Sequence, residues 1–222
     1  MPSNDLKNTR SVLLAGASGL VGRELLALAS ESTDYTQVHS LVRRSTGSPQ
    51  AKVREHVVNF DALPTLPPVD DVLIALGTTI KVAGSQAAFR RVDHDYVVAV
   101  ARAGLAGGAT RLGLVSAVGA DASSRVFYNR VKGEAERDVV ELGFDSVVIA
   151  QPSLLLGNRA ALGQPARPGE WWAERLLVPL SGLLPASFRP VHASDVAAAL
   201  LAAVAAAEPG VRRLSSRELS AR

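Results

Sequence analysis

The chain has 222 residues, a length that suits one large domain able to bury roughly 70 % of its unfolded surface without a disulfide or metal staple. Hydrophobic residues make up 47 % and charged residues 20 %, which excludes a disordered tail or a collagen-like chain. The absence of cysteine excludes a disulfide framework, a thiolate zinc site and a cysteine nucleophile.

Twenty-four Lys and Arg against 21 Asp and Glu leave a net charge of +3. The basic residues fall in pairs such as Arg43-Arg44, Arg90-Arg91 and Arg212-Arg213 rather than in the cluster that nucleic-acid binding requires. The longest apolar run, Val196 to Ala207, is far short of the roughly 20 residues that span a bilayer. The first ten residues are polar and lack the apolar stretch of a secretory signal. The expectation is a cytoplasmic protein with no membrane, nucleic-acid or metal partner.

Taken in order from the N-terminus, β-rich runs are predicted at Ser11 to Ala15, Gln37 to Val42, Val53 to Asn59, Val72 to Leu76, Arg111 to Ser116 and Ser146 to Ala150. Helical stretches at Val21 to Ser30, Ser85 to Ala106 and Tyr128 to Leu142 separate them. Strands alternating with helices of this length predict right-handed βαβ crossovers and a doubly wound parallel α/β sheet. The connection Arg43 to Lys52, with Gly47 and Pro49, reads as a loop. After Ala150 the chain becomes proline-rich and holds both tryptophans, with a short helical stretch around Trp171 to Leu177. A last helix is predicted from Ser194 to Ala207 with Ser194 as its N-cap. The division expected is a tail (1–10), a cofactor-binding core (11–150) and a short C-terminal cap (151–222), within a single unit whose ends fray.

Gly16-Ala17-Ser18-Gly19-Leu20-Val21-Gly22 follows the first strand and opens the first helix. Glycines there allow a tight turn, close approach of a pyrophosphate to bare backbone, and close helix–strand packing. The free N–H groups of Gly16, Ser18, Gly19, Leu20, Val21 and Gly22 and the positive end of the helix dipole then meet the phosphates. Beyond the second strand, Leu41-Val42-Arg43-Arg44-Ser45 lacks the acid that would accept from a ribose 2′-hydroxyl. Arg43 and Arg44 can instead bracket a 2′-phosphate, which predicts NADP(H) over NAD(H). Asp61, in Asn59-Phe60-Asp61, would hold the adenine edge or cap the following turn. Leu76, Gly77 and Thr78, before Thr79, would let backbone approach ribose and phosphate beyond the fourth strand.

Tyr128 and Lys132 stand four residues apart on one helical face. A phenol is a poor acid–base group at neutral pH, and a nearby ammonium favours its ionised form. Lys132 can also orient a nicotinamide ribose, and Ser116, at the end of the fifth strand, would hold a substrate carbonyl while Tyr128 delivers the proton.

This set of motifs resembles the atypical short-chain dehydrogenases/reductases. Within them it is similar to the Tat-interacting metastasis-suppressor group, on Ala75-Leu76-Gly77-Thr78-Thr79, Arg91-Val92-Asp93-His94-Asp95-Tyr96-Val97, Gly119-Ala120-Asp121, Val131-Lys132-Gly133-Glu134 and Arg167-Pro168-Gly169-Glu170-Trp171. The resemblance implies a Rossmann-like fold, NADPH binding, a short cap, and Pro152 and Ser153 near the nicotinamide. It also shows a departure: Asp93 stands where many short-chain dehydrogenases have the asparagine of a water-mediated proton relay, which predicts a relay altered or absent.

His94 and His192 are expected to be solvated or capping, Asp195 to act at a helix start, and the Ala-rich last helix to serve either the core or a homodimer contact. The function expected is NADPH-dependent hydride transfer to or from a small carbonyl or alcohol, by Ser116, Tyr128 and Lys132. The alternatives are a cofactor-binding sensor with little turnover and a nucleotide-sugar epimerase.

Overall fold

The computed structural model describes residues 10–45, 47, 50–156 and 190–220. Its centre is a seven-stranded sheet in which every pairing is parallel. The strands are β1 (Arg10–Ala15), β2 (Tyr35–Val42), β3 (Val53–Val57), β4 (Asp71–Ile74), β5 (Arg111–Val115), β6 (Ser146–Gln151) and, after a two-stranded sheet formed by β7 (Leu155–Leu156) and β8 (Val191–His192), β9 (Gly210–Ser215). Their order, β3-β2-β1-β4-β5-β6-β9, reverses between β1 and β4. Ligands of open α/β sheets bind at such a reversal.

Alternation sorts each strand between two cores. Val12 and Leu14 face α1 (Leu20–Glu31) and α6 (Ala193–Ala206), whereas Leu13 and Ala15 face α4 (Tyr96–Ala106) and α5 (Phe127–Val140). A strand covered on both faces reads as continuous apolar sequence, as β1 and β6 do. In α1, Val21, Leu25 and Ala29 recur every four residues and are buried against the sheet.

The sequence reading differs from the structure at three places. The long helix predicted from Ser85 is broken into α3 (Gln86–Arg90), a π-helical turn (Arg91–Asp95) and α4, after the short α2 (Ile80–Ala83). In the last helix Ser194 is not the cap: the helix begins at Ala193, with His192 in the cap position and no side-chain cap bond. That helix is a core element, burying Val196, Ala197, Leu200, Ala203 and Val204. The chain after that helix, to which the sequence reading assigns no element, forms β9 on the edge of β6 and α7 (Ser216–Leu219), closed by a Ser215–Glu218 capping box. Trp171, Trp172 and the helix expected around them lie outside the described residues. No helix among the described residues is long and apolar enough to cross a membrane.

Beneath the amino ends of the strands, Asp71 on β4 is fully buried. It accepts from Tyr35 Oη at 2.6 Å and from the Arg111 guanidinium, with Arg10 Nη1 at 3.4 Å. Burial raises its pKa against the opposing pull of Tyr35 and the two arginines, and burial together with Asp71 raises that of Tyr35. The knot ties β1, β2, β4 and β5 together. Asp71→Ala strands two arginines beside a dry wall, and denaturant unfolding should show a loss of about 3–5 kcal/mol.

Candidate active site

At the reversal point the chain is packed backbone against backbone. Gly16 adopts φ +97°, and a Cβ there would lie 2.5 Å from the Ala75 carbonyl carbon beyond β4; a Cβ on Gly22 would lie 1.9 Å from Gly16 O. Gly19 N donates to Gly16 O at 2.9 Å, closing the turn. No side chain caps α1, so the first N–H groups of the helix have no side-chain acceptor at the cap, an arrangement that suits an anion.

Arg43 and Arg44 are exposed just past β2. The carboxylate touching this turn, Glu55 on β3, is engaged by Ser45 Oγ at 2.6 Å and Gly47 N at 3.3 Å. Asn59 Oδ1 accepts from Asp61 N at 3.0 Å. The Asp61 carboxylate lies 3.9 Å from Arg91 Nε and, with burial, raises the Tyr96 hydroxyl.

The turn beyond β4 is exposed at Gly77 and held at Thr78, whose N–H donates to Asp93 Oδ2 at 2.9 Å. The other oxygen of Asp93 is 2.8 Å from Lys132 Nζ, and both side chains are buried, with Asp93 1 % and Lys132 7 % exposed. The π-helical turn makes this contact possible. Its extra residue widens the coil at Arg91–Asp95, where the Arg91 N–H is shared by the carbonyls of Ala87, Ala88 and Phe89. It turns Asp93 inward to Lys132, while His94 reaches across to Asp138 at 2.8 Å and sideways to Asp95 at 2.7 Å. His94 is therefore neither solvated nor capping, and Asp93 meets Lys132 in a direct ion pair.

Lys132 lies one turn beyond Tyr128 on α5. Burial works against the ammonium, but Asp93, Tyr128 and Glu136 outweigh it and hold the pKa above the ordinary lysine value. The half-buried Tyr128 ring leans on Phe89, centroids 5.3 Å apart. Gly133 lets the 119–124 loop lie against α5, since a Cβ there would meet the Asp121 carbonyl carbon at 2.2 Å.

Ser116 departs from the role expected of it. Its Oγ donates to Glu136 Oε1 at 2.5 Å, so its one proton is committed to a carboxylate and is not offered to a carbonyl. Gln151 Nε2 donates to both Glu136 oxygens, at 2.9 and 3.0 Å, and Arg213 Nε lies 3.4 Å from Oε2. Sequence reasoning missed Glu136, although its place one turn beyond Lys132 on the face that carries Tyr128 marks it. Pro152 O accepts from Val118 N at 2.9 Å and Ser153 N donates to Ser216 Oγ at 2.9 Å, which fixes the chain after β6 to the loop after β5 and to α7.

No protein-family model matches the chain. Among solved structures, the oxidoreductase ylbE from Lactococcus lactis aligns over 94 % of both chains with a TM-score of 0.63 at 19 % identity. MoeE5 in complex with UDP-glucose and NAD covers 94 % of this chain and 79 % of its own at a TM-score of 0.69 and 18 % identity. The fold is thus of the Rossmann-like class. Protein HTATIP2 of Rattus norvegicus is 38 % identical over 194 residues, 84 % of this chain and 76 % of its own, and mitochondrial protein FMP52 of Eremothecium gossypii is 40 % identical over 153 residues, 67 % of this chain and 68 % of its own. The chain belongs to the family of these two proteins, within the atypical short-chain dehydrogenases/reductases.

These relatives correct the expected cytoplasmic location. FMP52 proteins of several fungi are named mitochondrial, and missing cysteines and a polar first stretch do not separate a cytoplasmic protein from an organellar one.

If the Ser116 hydroxyl serves Glu136, Ser116→Ala should lower stability by about 1.5–3 kcal/mol, the range for a hydrogen bond to a charged group. Denaturant melts of the variant check it, and an unchanged midpoint would free Ser116 for other work.

Proposed function

We propose that the protein is an NADP(H)-dependent oxidoreductase acting on a small carbonyl or alcohol, with Tyr128 as acid–base group. The observation that carries this reading is the buried Lys132–Asp93 pair one helical turn from Tyr128, at the reversal point where the glycine turn presents bare backbone. Backbone at Gly16 to Gly22 and at Leu76 to Thr78 would cradle phosphates and ribose, with Gly16 and Gly22 bare because a side chain at either would collide with the backbone of Ala75 or of Gly16 and open the turn. Arg43 and Arg44 would take the 2′-phosphate. MoeE5 and the Bordetella bronchiseptica enzyme WbmH, both of this fold, are complexes with NAD or NAD+, which supports a nicotinamide dinucleotide and leaves the phosphate preference to the two arginines.

When bound, the nicotinamide supplies or accepts the hydride. Tyr128 would donate its phenolic proton to the carbonyl oxygen as the hydride arrives at carbon, and take it back in the reverse direction. Lys132, charged and fixed, would stabilise the phenolate left behind and hold the nicotinamide ribose. Ser116, occupied by Glu136, would keep α5 at its distance from β5 rather than polarise the substrate.

That occupied serine also favours a second reading, a cofactor-binding sensor with little turnover. The two readings separate in one experiment: calorimetric titration with NADPH and NADH, followed by a carbonyl panel at the nicotinamide absorbance. Selective NADPH binding with turnover is the expected result, and binding without turnover on any carbonyl leaves the sensor. Arg43→Asp with Arg44→Ala should move the preference toward NADH, and unchanged relative affinities would remove the 2′-phosphate assignment. Tyr128→Phe should keep cofactor affinity within about twofold while cutting turnover by about a hundredfold or more, the scale of general acid–base catalysis.

A further inference from the structure

We propose that Asp93 is the positioning residue of the Tyr128–Lys132 pair, its two carboxylate oxygens gripping the Lys132 ammonium and the Thr78 N–H so that the lysine stays charged in a dry site and in register with the turn beyond β4. The role rests on the oxidoreductase reading above.

The geometry requires a carboxylate. Asp93 Oδ1 is 2.8 Å from Lys132 Nζ and Oδ2 is 2.9 Å from Thr78 N, and both partners are donors. A carboxylate carries the charge that pairs with the ammonium and an oxygen that accepts from the Thr78 N–H, whereas an amide is neutral and offers one acceptor. Nothing else nearby replaces the charge. The leading influences that favour the charge of Lys132 are Asp93 from the π-helical turn, and Tyr128 and Glu136 from its own helix. Tyr128 is neutral until it ionises, and Glu136 is shared among Ser116, Gln151 and Arg213. From the β4 side Gly77 approaches, where a Cβ would stand 3.7 Å from Nζ.

The sign follows. Burial disfavours the ammonium, and Asp93 is the leading influence against it. With Asp93 present Lys132 holds its proton above the ordinary lysine range. With a neutral residue at position 93, burial prevails and the lysine titrates below that range. The same carboxylate fixes Thr78, so one side chain sets the distance between the turn that would meet the cofactor and the lysine that would hold its ribose.

The test is a pH titration of the lysine 13Cε and 15Nζ resonances in the full chain, which has four lysines, Lys7, Lys52, Lys81 and Lys132. Lys132→Met identifies the resonance of Lys132. In the wild type Lys132 should deprotonate after the other three, and in Asp93→Asn before them, by at least about one pH unit. A wild-type midpoint at or below those of the other lysines, or a midpoint unmoved in Asp93→Asn, overturns the proposal. The wild-type comparison decides alone should the variant not fold.

NADPH calorimetry on the same samples separates the two levels. Wild-type affinity should be flat between about pH 7 and pH 9 and that of Asp93→Asn should fall with pH as its lysine discharges. Cofactor binding with an unmoved lysine removes Asp93 alone. A moved lysine with no cofactor binding removes the oxidoreductase reading, and with it any part for Asp93 in the reaction.

Discussion

The constraint on which the rest of the structure depends is the contact between bare backbones where the sheet reverses. Gly16 at φ +97° presses against Ala75 and Leu76, and Gly22 against Gly16 O. No side chain fits at either glycine, so β1, β4 and the start of α1 sit closer than side-chain packing allows. The candidate site is hung from that contact. The turn after β4 runs past Gly77 to Thr78, Thr78 meets Asp93, and Asp93 meets Lys132.

The two ends of the sheet solve opposite problems with the same chemistry. At the amino ends, Asp71 is surrounded by donors, Tyr35, Arg10 and Arg111, which close the sheet and leave nothing for a ligand. At the carboxyl ends, Asp93 takes up one lysine and one N–H, and α1 begins uncapped. Buried pairs are weak evidence of stability, because removing charge from water costs about as much as pairing returns. The Asp71 knot and the Asp93 pair are better understood as devices that fix register, the first for four strands and the second for one lysine.

Much of this was written in local patterns. Apolar runs of five or six residues, separated by helical periodicity, are enough to place β1, β2, β4, β5 and β6, and glycine spacing places the turn. Tyr128 and Lys132 were visible because helical geometry converts a four-residue interval into a shared face. The π-helical turn at Arg91–Asp95 was not, since widening a helix by one residue leaves the local composition helical; it is decided by what Asp93 and His94 meet on α5. β9 was missed for a related reason. Gly210–Ser215 is exposed at most of its residues, so it carries no apolar run and is a strand because β6 offers it an edge.

Ser116 shows where residue type and residue role part. A serine at the end of β5, twelve positions before Tyr128, has the right identity and place for polarising a carbonyl, and nothing in its own neighbourhood argues otherwise. Its proton is taken by a residue two turns further along the helix that carries Tyr128. Glu136 belongs to the same face as Tyr128 and Lys132, so a single helix presents a phenol, an ammonium and a carboxylate in succession, toward the π-helical turn at one level and toward β5, β6 and β9 at the next. The carboxylate is engaged by Ser116, Gln151 and Arg213. The first turns of α5 thus lie beside Phe89 and the turn at Gly77, while the turns beyond anchor the helix to the sheet.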